Sequence, residues 1–535
     1  MRAGTLDLRD RVGDLAGDLH KRGRDRLEAD RSGTPEERRA EAETARELLR
    51  ELDRLELLDP DAIEQFAAQR RMAEDTVALG EGGAAVVRLT QQPRAPLTDY
   101  GNAERLAEDH AEALRFVPGP GWISWDRRRW APDSGGGAPM RAAKATARLI
   151  RDEARELDDE ELAKKVFGHA VKSESHPRLV AALKLAESEE SLIARVEELD
   201  SDPWAFNVWN GTIDLETGEL RPHDRADLIT KLSPVEHDPA AKCPRWDAFL
   251  RDVFSGDEEL IHEVQKMTGY TLVGVTTEQL LLFAYGHGGN GKSTFMTVLR
   301  ALFGEYGEVA PVGTLMAKRA DAIPNDLAKL RGARLVTTAE TGQDQHLDEV
   351  LIKEATGGDP LAARFLHKEW FTYKPSFTIW MAGNHRPRVR GGDDAIWDRI
   401  RLVPLEQRIR GTDREVKGLG DQLLGELPGV LNWALEGCRL WQSEGLRTPA
   451  AVKAATESYR AGEDTVGAFL AARCVKDPDA KASVGDLFVA YEHFCGGVER
   501  EPLSRDTFGR RLEDAGHPPK KGPKGVRIRE GLRLL

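Results

Sequence analysis

The stretch Gln279-Leu280-Leu281-Leu282-Phe283-Ala284-Tyr285-Gly286-His287-Gly288-Gly289-Asn290-Gly291-Lys292-Ser293 decides the fold. Its first half is a short, continuous apolar run, the pattern of a strand buried on both faces of a parallel sheet. Its second half fits GxxxxGK[ST] at every fixed position, and Phe295, Val298, Leu299 and Leu302 follow at helical spacing. Strand, glycine loop and helix in that order make a phosphate cradle. The glycines let successive N–H groups turn inward around phosphate oxygens, Lys292 brings a point charge to the β and γ oxygens, and Ser293 can ligate Mg²⁺. The helix N-terminus adds a favourable dipole. Gly286, Gly288, Gly289, Asn290, Gly291, Lys292, Ser293 and Thr294 are therefore the expected nucleotide-binding set, with ATP and Mg²⁺ as cofactors.

Downstream, Arg334-Leu335-Val336-Thr337-Thr338-Ala339-Glu340 reads as a second core strand ending in a carboxylate, 48 residues beyond the lysine. Glu340 is placed to polarise an attacking water or to hold Mg²⁺ through water. Ala339 stands where many ATPases with this loop carry a second acid, so the metal-holding and base roles stay unapportioned. A third run, Ser376 to Gly383, ends in Asn384, an amide able to orient water beside the phosphate loop. Asp393-Asp394-Ala395-Ile396-Trp397-Asp398-Arg399-Ile400-Arg401 then leads into a fourth strand around Leu402-Val403-Pro404-Leu405. Arg399, ahead of Arg401, is the candidate finger for a neighbouring subunit's ATP. The alternative is that both arginines pair with Asp393, Asp394 or Asp398.

Outward from this core, 535 residues exceed what one hydrophobic core organises, which predicts three to four domains. Hydrophobic residues at 40% and charged residues at 31% exclude wholesale disorder and a collagen-like class. With 77 Lys+Arg against 91 Asp+Glu the net charge is −14, so any DNA contact must be local rather than a globally basic coat. The longest apolar run is far below the ~18 residues of a membrane span, and no apolar stretch follows Met1. Cys243, Cys438, Cys474 and Cys495 form no CxxC pair, so neither zinc nor disulfides are expected and the compartment reads as reducing, hence cytoplasmic.

Residues 1–95 read as a helical segment. Thr34-Pro35-Glu36-Glu37 has the form of a capping box, and Leu48, Leu49, Leu52 and Leu55 make one apolar stripe for a neighbouring helix or, alternatively, for a self-assembly seam. Residues 96–243 read as a mixed α+β domain, with tryptophan-rich strands, a helical stretch from Arg141 to about Leu199, and an Asn210-Gly211 hairpin turn. Pro244 to Val273 returns to helical periodicity, with Trp246, Phe249, Leu250 and Val253 on one face. Residues 244–450 hold the nucleotide site. Residues 451–535 read as a winged-helix-like DNA-binding domain: Ser504 caps a helix with Phe508 and Leu512 inward and Arg505, Arg510 and Arg511 outward. A basic hairpin carrying Lys520 and Lys521 and the alternating Val526-Arg527-Ile528-Arg529 follows. Over residues 499–535 ten Lys+Arg face six Asp+Glu, so the positive charge gathers where a duplex contact needs it. A small domain that merely caps a ring, with a solvated basic face, is the competing reading.

Taken in order, Gly286 to Ser293, Glu340, Ile352-Lys353-Glu354-Ala355-Thr356-Gly357-Gly358-Asp359 with Arg364 and His367-Lys368, Asn384 and Arg399 resemble superfamily 3 helicases, in the form found as the C-terminal half of virus, phage and plasmid helicase-primases. Leu97 to Arg105 and Trp209 to Leu215 look like the domain that precedes the helicase in that family. The resemblance implies an α/β P-loop, AAA+-like core with a parallel sheet, working as a homo-oligomeric ring, usually a hexamer, on single-stranded DNA in its pore with 3′-to-5′ polarity. By position, the family's pore hairpin, between the second and third core strands, falls on Arg364 to Lys374, with His367 and Lys368 as DNA contacts. A P-loop transferase on a small molecule would need no arginine finger, basic hairpin or winged helix. A nucleotide-switched origin-binding or DNA-loading scaffold with weak ATPase is the closer rival. Primer synthesis needs clustered carboxylates for two metals, and two DxD matches, Asp59-Pro60-Asp61 and Asp477-Pro478-Asp479, read as proline turns at helix starts. The expectation is a helicase without a primase active site.

Overall fold

The computed structural model describes residues 11–19, 21, 35–58 (backbone alone at 35–39 and 53–58), 70, 73, 92–133, 135, 137–317, 325–338, 345–364, 370–389, 394–498, 500–521 and 527–535. The chain divides into two compact units, residues 1–94 with 150–168, and residues 95–149 with 169–535. Among the described residues no helix is long and apolar enough to cross a membrane.

In the first unit, helix α1 (Pro35–Leu58) buries Ala45, Leu48 and Leu52 against Val12 and Leu19 of the helix at residues 11–19. The leucine stripe therefore packs on a neighbouring helix within the chain, and Arg11 reaches Glu51 at 3.4 Å beside it. Thr34, the side chains of Glu37 and Leu55, and Asp59 to Asp61 lie outside the described residues.

The second unit opens with α2 (Asp99–His110), whose N-cap Thr98 accepts from Gly101 N at 3.1 Å. A meander of β1 (Leu114–Val117), β2 (Gly121–Trp125) and β3 (Trp130–Pro132) follows. Helix α3 (Gly137–Arg155) starts in this unit and ends in the first, α4 (Glu160–Ser173) starts in the first and ends in this one, and α5 (His176–Ala186) packs on α2 through Leu106, Leu179 and Ala186. Strands β4 (Ala205–Val208), β5 (Gly211–Asp214) and β6 (Leu220–Arg221) form a second meander. The hairpin expected at Asn210-Gly211 forms, but its two-residue turn is Trp209-Asn210, one position earlier, because Gly211 pairs with Val208 as the first residue of β5. Buried Asn207 ties that meander together, donating to Arg128 O (2.9 Å) and Lys231 O (3.0 Å) and meeting His223 Nδ1 at 2.8 Å. Burial, with Arg128 nearby, holds the His223 imidazole below its ordinary pKa.

Helices α6 (Pro244–Val253) and α7 (Glu258–Leu272) lead into the core, and Trp246, Phe249, Leu250 and Val253 are all buried on one side of α6. The core is a five-stranded sheet of β7 (Leu281–Tyr285), β8 (Gly307–Ala310), β9 (Leu335–Thr338), β12 (Thr378–Gly383) and β13 (Ile400–Pro404), in the order β13-β7-β12-β9-β8. Every pairing in it is parallel. Four of these strands were legible in the sequence; β8 is an addition, because a four-residue edge strand that carries Gly307 and Glu308 shows no apolar run. Helix α8 (Lys292–Phe303) returns along one face, burying Phe295, Val298, Leu299 and Leu302. Helix α9 (Glu349–Gly357) and the hairpin of β10 (Leu361–Ala363) and β11 (Phe371–Tyr373) lie in the chain between β9 and β12.

Beyond the sheet run α10 (Leu427–Glu444) and α11 (Ala450–Glu463). The C-terminal module is α12 (Thr465–Arg473), β14 (Cys474–Ser483), α13 (Val484–Gly497), α14 (Arg505–Asp514), β15 (Pro519–Lys521) and β16 (Arg527–Leu534), its antiparallel sheet ordered β14-β16-β15. Asp477-Pro478-Asp479 does not open a helix. It lies inside β14, where the register shifts between Lys476 and Lys481 because proline cannot join the ladder. All four cysteines are free and buried, and burial pushes Cys243 up to about 12 and Cys438 up to about 11.

Candidate functional site

The loop between β7 and α8 is shaped by three glycines that admit no side chain. A Cβ at Gly291 (φ +87) would sit 2.6 Å from Val253 and 3.0 Å from the Phe249 ring. One at Gly289 (φ +82) would sit 2.8 Å from Arg410 Cβ, and one at Gly286 would run into the Leu405 carbonyl. The loop is braced by the segment after β13. Leu405 N donates to Tyr285 O (2.7 Å), Asn290 Nδ2 donates to Leu405 O, and the N–H groups of Ile409 and Arg410 donate to Gly289 O at 2.8 and 2.9 Å.

Lys292 is buried, its Nζ donating to Gly286 O (2.6 Å), His287 O (2.9 Å) and Asn290 Oδ1 (2.8 Å). Those neutral acceptors hold the ammonium at the mouth of the loop, where a phosphate would replace them. Ser293 is exposed on the first turn of α8 and Thr294 is half-buried behind it. On the adjacent strand ends, Gly383 pairs with Tyr285 and Met381 with Thr338, which sets Asn384 next to Gly286 and brings the end of β9 alongside. Asn384 Oδ1 and Thr338 Oγ1 are buried with no hydrogen-bond partner among the described residues. A tight glycine cradle, a buried lysine and an orphaned amide oxygen on one sheet edge fit a nucleoside triphosphate. Glu340, two residues past Thr338, lies outside the described residues.

Arg399 lies elsewhere. It precedes β13, whose Ile400 pairs with Leu281, so it marks the opposite edge of the sheet from the phosphate loop, five strand residues or roughly 15 Å away. Its Nε donates to Thr356 Oγ1 (3.0 Å) and its Nη1 to Ala395 O (2.6 Å). Among the described residues it has no carboxylate partner; Asp394 pairs with Arg460 instead. Arg401 donates to Asp398 O (2.6 Å), and burial lowers its pKa. Neither arginine reaches the phosphate loop of its own chain.

The hairpin segment behaves as a hairpin, but between the third and fourth core strands, because β8 enters the count. Arg364 lies at its base with its guanidinium 5.0 Å from the centre of the exposed Trp370 ring, and Lys374 is exposed just past β11. His367 and Lys368 lie outside the described residues. In the C-terminal module, Ser504 accepts from Thr507 N and so caps α14, which buries Phe508 and Leu512. Arg505 and Arg510 are exposed, as are Lys520 and Lys521, although Lys520 is ion-paired with Glu530. Two arginines depart from expectation. Arg511 lines a cavity with Glu457, Arg460 and Asp464 instead of facing outward. Arg529 is 4% exposed and clamps α14 to the hairpin through His517 O (2.7 Å) and Gly509 O (2.6 Å), so the alternation in this strand buries its arginine.

Sequence reasoning passed over two residues at the loaded edge. Arg386, two positions after Asn384, stacks 4.5 Å over Tyr285, and Arg410 crosses Gly289. No motif marks either one; only the return of distant chain to the loop does.

Residues 103–255 match the family model described as "D5 N terminal like", and residues 284–399 match one described as "Family of unknown function (DUF5906)". Among curated proteins, "Putative helicase L207/L206" of Acanthamoeba polyphaga mimivirus is 26% identical over 317 residues, 55% of this chain and 33% of the relative. "Putative helicase 022R" of Frog virus 3 (isolate Goorha) is 28% identical over 318 residues, 55% of this chain and 31% of that one. "Putative primase C962R" of African swine fever virus (isolate Tick/Malawi/Lil 20-1/1983) is 21% identical over 378 residues, 64% of this chain and 38% of that one. The chain thus spans about a third of the length of the curated relatives it matches. A solved structure described as "The A form apo structure of NrS-1 C terminal region-CTR" aligns at 12% identity and TM-score 0.41, over 70% of this chain and 90% of that one.

Proposed function

We propose that the chain is a replication protein of the viral and phage superfamily 3 helicase-primase type, and within it an ATP-driven DNA helicase of a phage, prophage or plasmid, assembled as a hexamer and moving 3′ to 5′ along single-stranded DNA. It acts in the cytoplasm of a bacterial host, and primer synthesis is not assigned to it. Residues 244–450 are the AAA+-like ATPase, 96–243 the domain that precedes it, 451–535 a winged-helix domain for duplex DNA, and 1–95 a collar.

One observation carries the reading: the five-stranded parallel sheet has the glycine loop and Asn384 at one edge and Arg399 at the other. A chain built this way holds part of two nucleotide sites, its own and a neighbour's. Gly286 to Thr294 bind the triphosphate through main-chain N–H groups, and Lys292 leaves its carbonyl partners for the β and γ oxygens. Ser293 and, through water, Glu340 hold the Mg²⁺ that, when bound, neutralises charge on the transferring phosphoryl group. Asn384 Oδ1 accepts from the attacking water and orients it, and Arg399 is offered to the adjacent subunit. Arg364, His367, Lys368 and Lys374 hold the DNA backbone by charge, without reading bases. The helix-strand-helix-helix-hairpin order of the C-terminal module, with Arg505 and Arg510 exposed on α14, supports the winged-helix reading.

The test is ATP hydrolysis with and without single-stranded DNA at a fixed salt concentration, since phosphate contacts weaken as salt rises. The expected result is DNA stimulation that disappears, with hydrolysis itself, in Lys292→Ala. Slow hydrolysis indifferent to DNA would instead assign the chain to the nucleotide-switched loading scaffolds.

A further inference from the structure

We propose that Arg410 is a nucleotide-binding residue whose guanidinium engages the β and γ phosphates of ATP bound in the same chain. The inference rests on reading Gly286 to Ser293 as an ATP site, and it adds to that site a cation that the sequence motif does not contain.

Three observations converge on this residue. Its backbone is fixed to the phosphate loop, because Ile409 N and Arg410 N both donate to Gly289 O at 2.8 and 2.9 Å. Its stem lies along the loop: a Cβ built on Gly289 would be 2.8 Å from Arg410 Cβ and 3.8 Å from both Cγ and Cδ. A glycine at 289 is therefore what lets the arginine cross. Finally, Arg410 is exposed and has no ion pair among the described residues; Arg408 Nε donates to Arg410 O (3.3 Å), a bond of the main chain that does not engage the guanidinium.

The location sets the ligand chemistry. Gly289 stands three residues before Lys292, whose charge the loop directs at the β and γ oxygens, so a second cation over Gly289 meets the same oxygens. Arginine suits that position, since its planar fork can take two phosphate oxygens at once. The base and ribose lie toward the α phosphate, further from this charge. The same feature also reads as a simple brace, with the side chain idle in solvent. The main-chain bonds do the bracing in either case, so side-chain replacement separates the two readings.

The experiment is calorimetric titration of the full chain with MgATP and with AMP, comparing wild type, Arg410→Gln, Arg410→Lys, Lys292→Ala and the nearby surface control Arg414→Ala. Gln keeps the stem packed on Gly289 and removes the charge. The expected result is an ATP affinity about tenfold weaker in Arg410→Gln, partly restored in Arg410→Lys, with AMP affinity and the thermal midpoint unchanged and Arg414→Ala like wild type. An unchanged ATP affinity, or an equal loss for ATP and AMP, overturns the proposal and leaves Arg410 as a brace. If wild type and Lys292→Ala bound ATP equally, the loop would not be the nucleotide site and the inference would fall with it, a result distinguishable from failure at Arg410 alone.

Discussion

The two edges of the central sheet treat their arginines in opposite ways. At the N-terminal edge, Arg334 and Arg399 each stand immediately before a strand, and each lends its carbonyl to the start of the next one, Arg334 O to Thr378 N and Arg399 O to Leu281 N, both at 2.8 Å. Their side chains are occupied. Arg334 is 4% exposed and donates to Leu272 O (2.5 Å), Ala205 O (2.7 Å) and Asp202 O (3.3 Å), with its guanidinium 4.8 Å over Tyr306. At the C-terminal edge, among the described residues, Asn384 Oδ1 and Thr338 Oγ1 have no partner and Arg386 and Arg410 have no carboxylate, Arg386 lying instead over Tyr285. A buried polar group without a partner costs folding energy. Asn384 and Thr338 stand where an incoming group would complete the bonding, but Thr378 Oγ1, at the start of β12 on the other edge, is also unpartnered among the described residues, so it is the arginines, bonded into the frame there, that mark the N-terminal edge as closed.

The sharpest way to break this contrast is at Arg399, which belongs to the closed edge by its bonds and to a neighbour's site by the proposed function. In the assembled protein, Arg399→Lys should lower kcat for ATP hydrolysis about 10³-fold while leaving ATP affinity within about twofold of wild type. An unchanged kcat would return Arg399 to a purely structural role. Next in size is Arg334→Ala, which strands three carbonyls, two of them within 2.7 Å of the lost nitrogens. It should destabilise the fold by about 3 kcal/mol, read from the urea midpoint, with KM for ATP unaffected in the folded fraction. A smaller effect belongs to His223, away from both edges. Its folded-state pKa is depressed by burial first and by Arg128 and Arg221, against a weaker opposing pull from the hydrogen bond to Trp209 O and from Asp126. The unfolded chain therefore binds the proton more readily, and stability should be full above the ordinary value of about 6.5 and fall as pH drops below it. His223→Gln should flatten that slope in thermal melts taken across the range.

Much of this arrangement was legible in the sequence because it rests on local pattern. The apolar run Leu281 to Ala284 and the glycines after it specify a strand and a loop within a few residues, and Ser504 announces a helix start by chemistry confined to one turn. What escaped is long-range. Gly307 to Ala310 joins the sheet only because β9 offers it an edge. The alternation Arg527-Ile528-Arg529 looks outward-basic in sequence, yet two carbonyls from α14 and its following turn draw Arg529 inside. Arg511 sits three residues after Phe508, close enough in sequence to share its exposed neighbours, but the cavity formed with α11 takes it. The brace from Leu405 to Arg410 is the plainest case, since hydrogen bonds between segments more than a hundred residues apart leave no periodicity to read.

That brace gives β13 an unusual position. Arg399 precedes the strand at one end and Leu405 follows it at the other, with five fully extended residues between them, paired along their whole length to β7. An extended, laterally bonded strand transmits displacement along its axis with little loss, as a pushrod does. A force applied at Arg399 is delivered, through Ile400 to Pro404, to the carbonyl that Asn290 holds and then to the grip on Gly289. Under the proposed function, the timing of events at two separate phosphate loops would thereby be tied to the stiffness of a single strand.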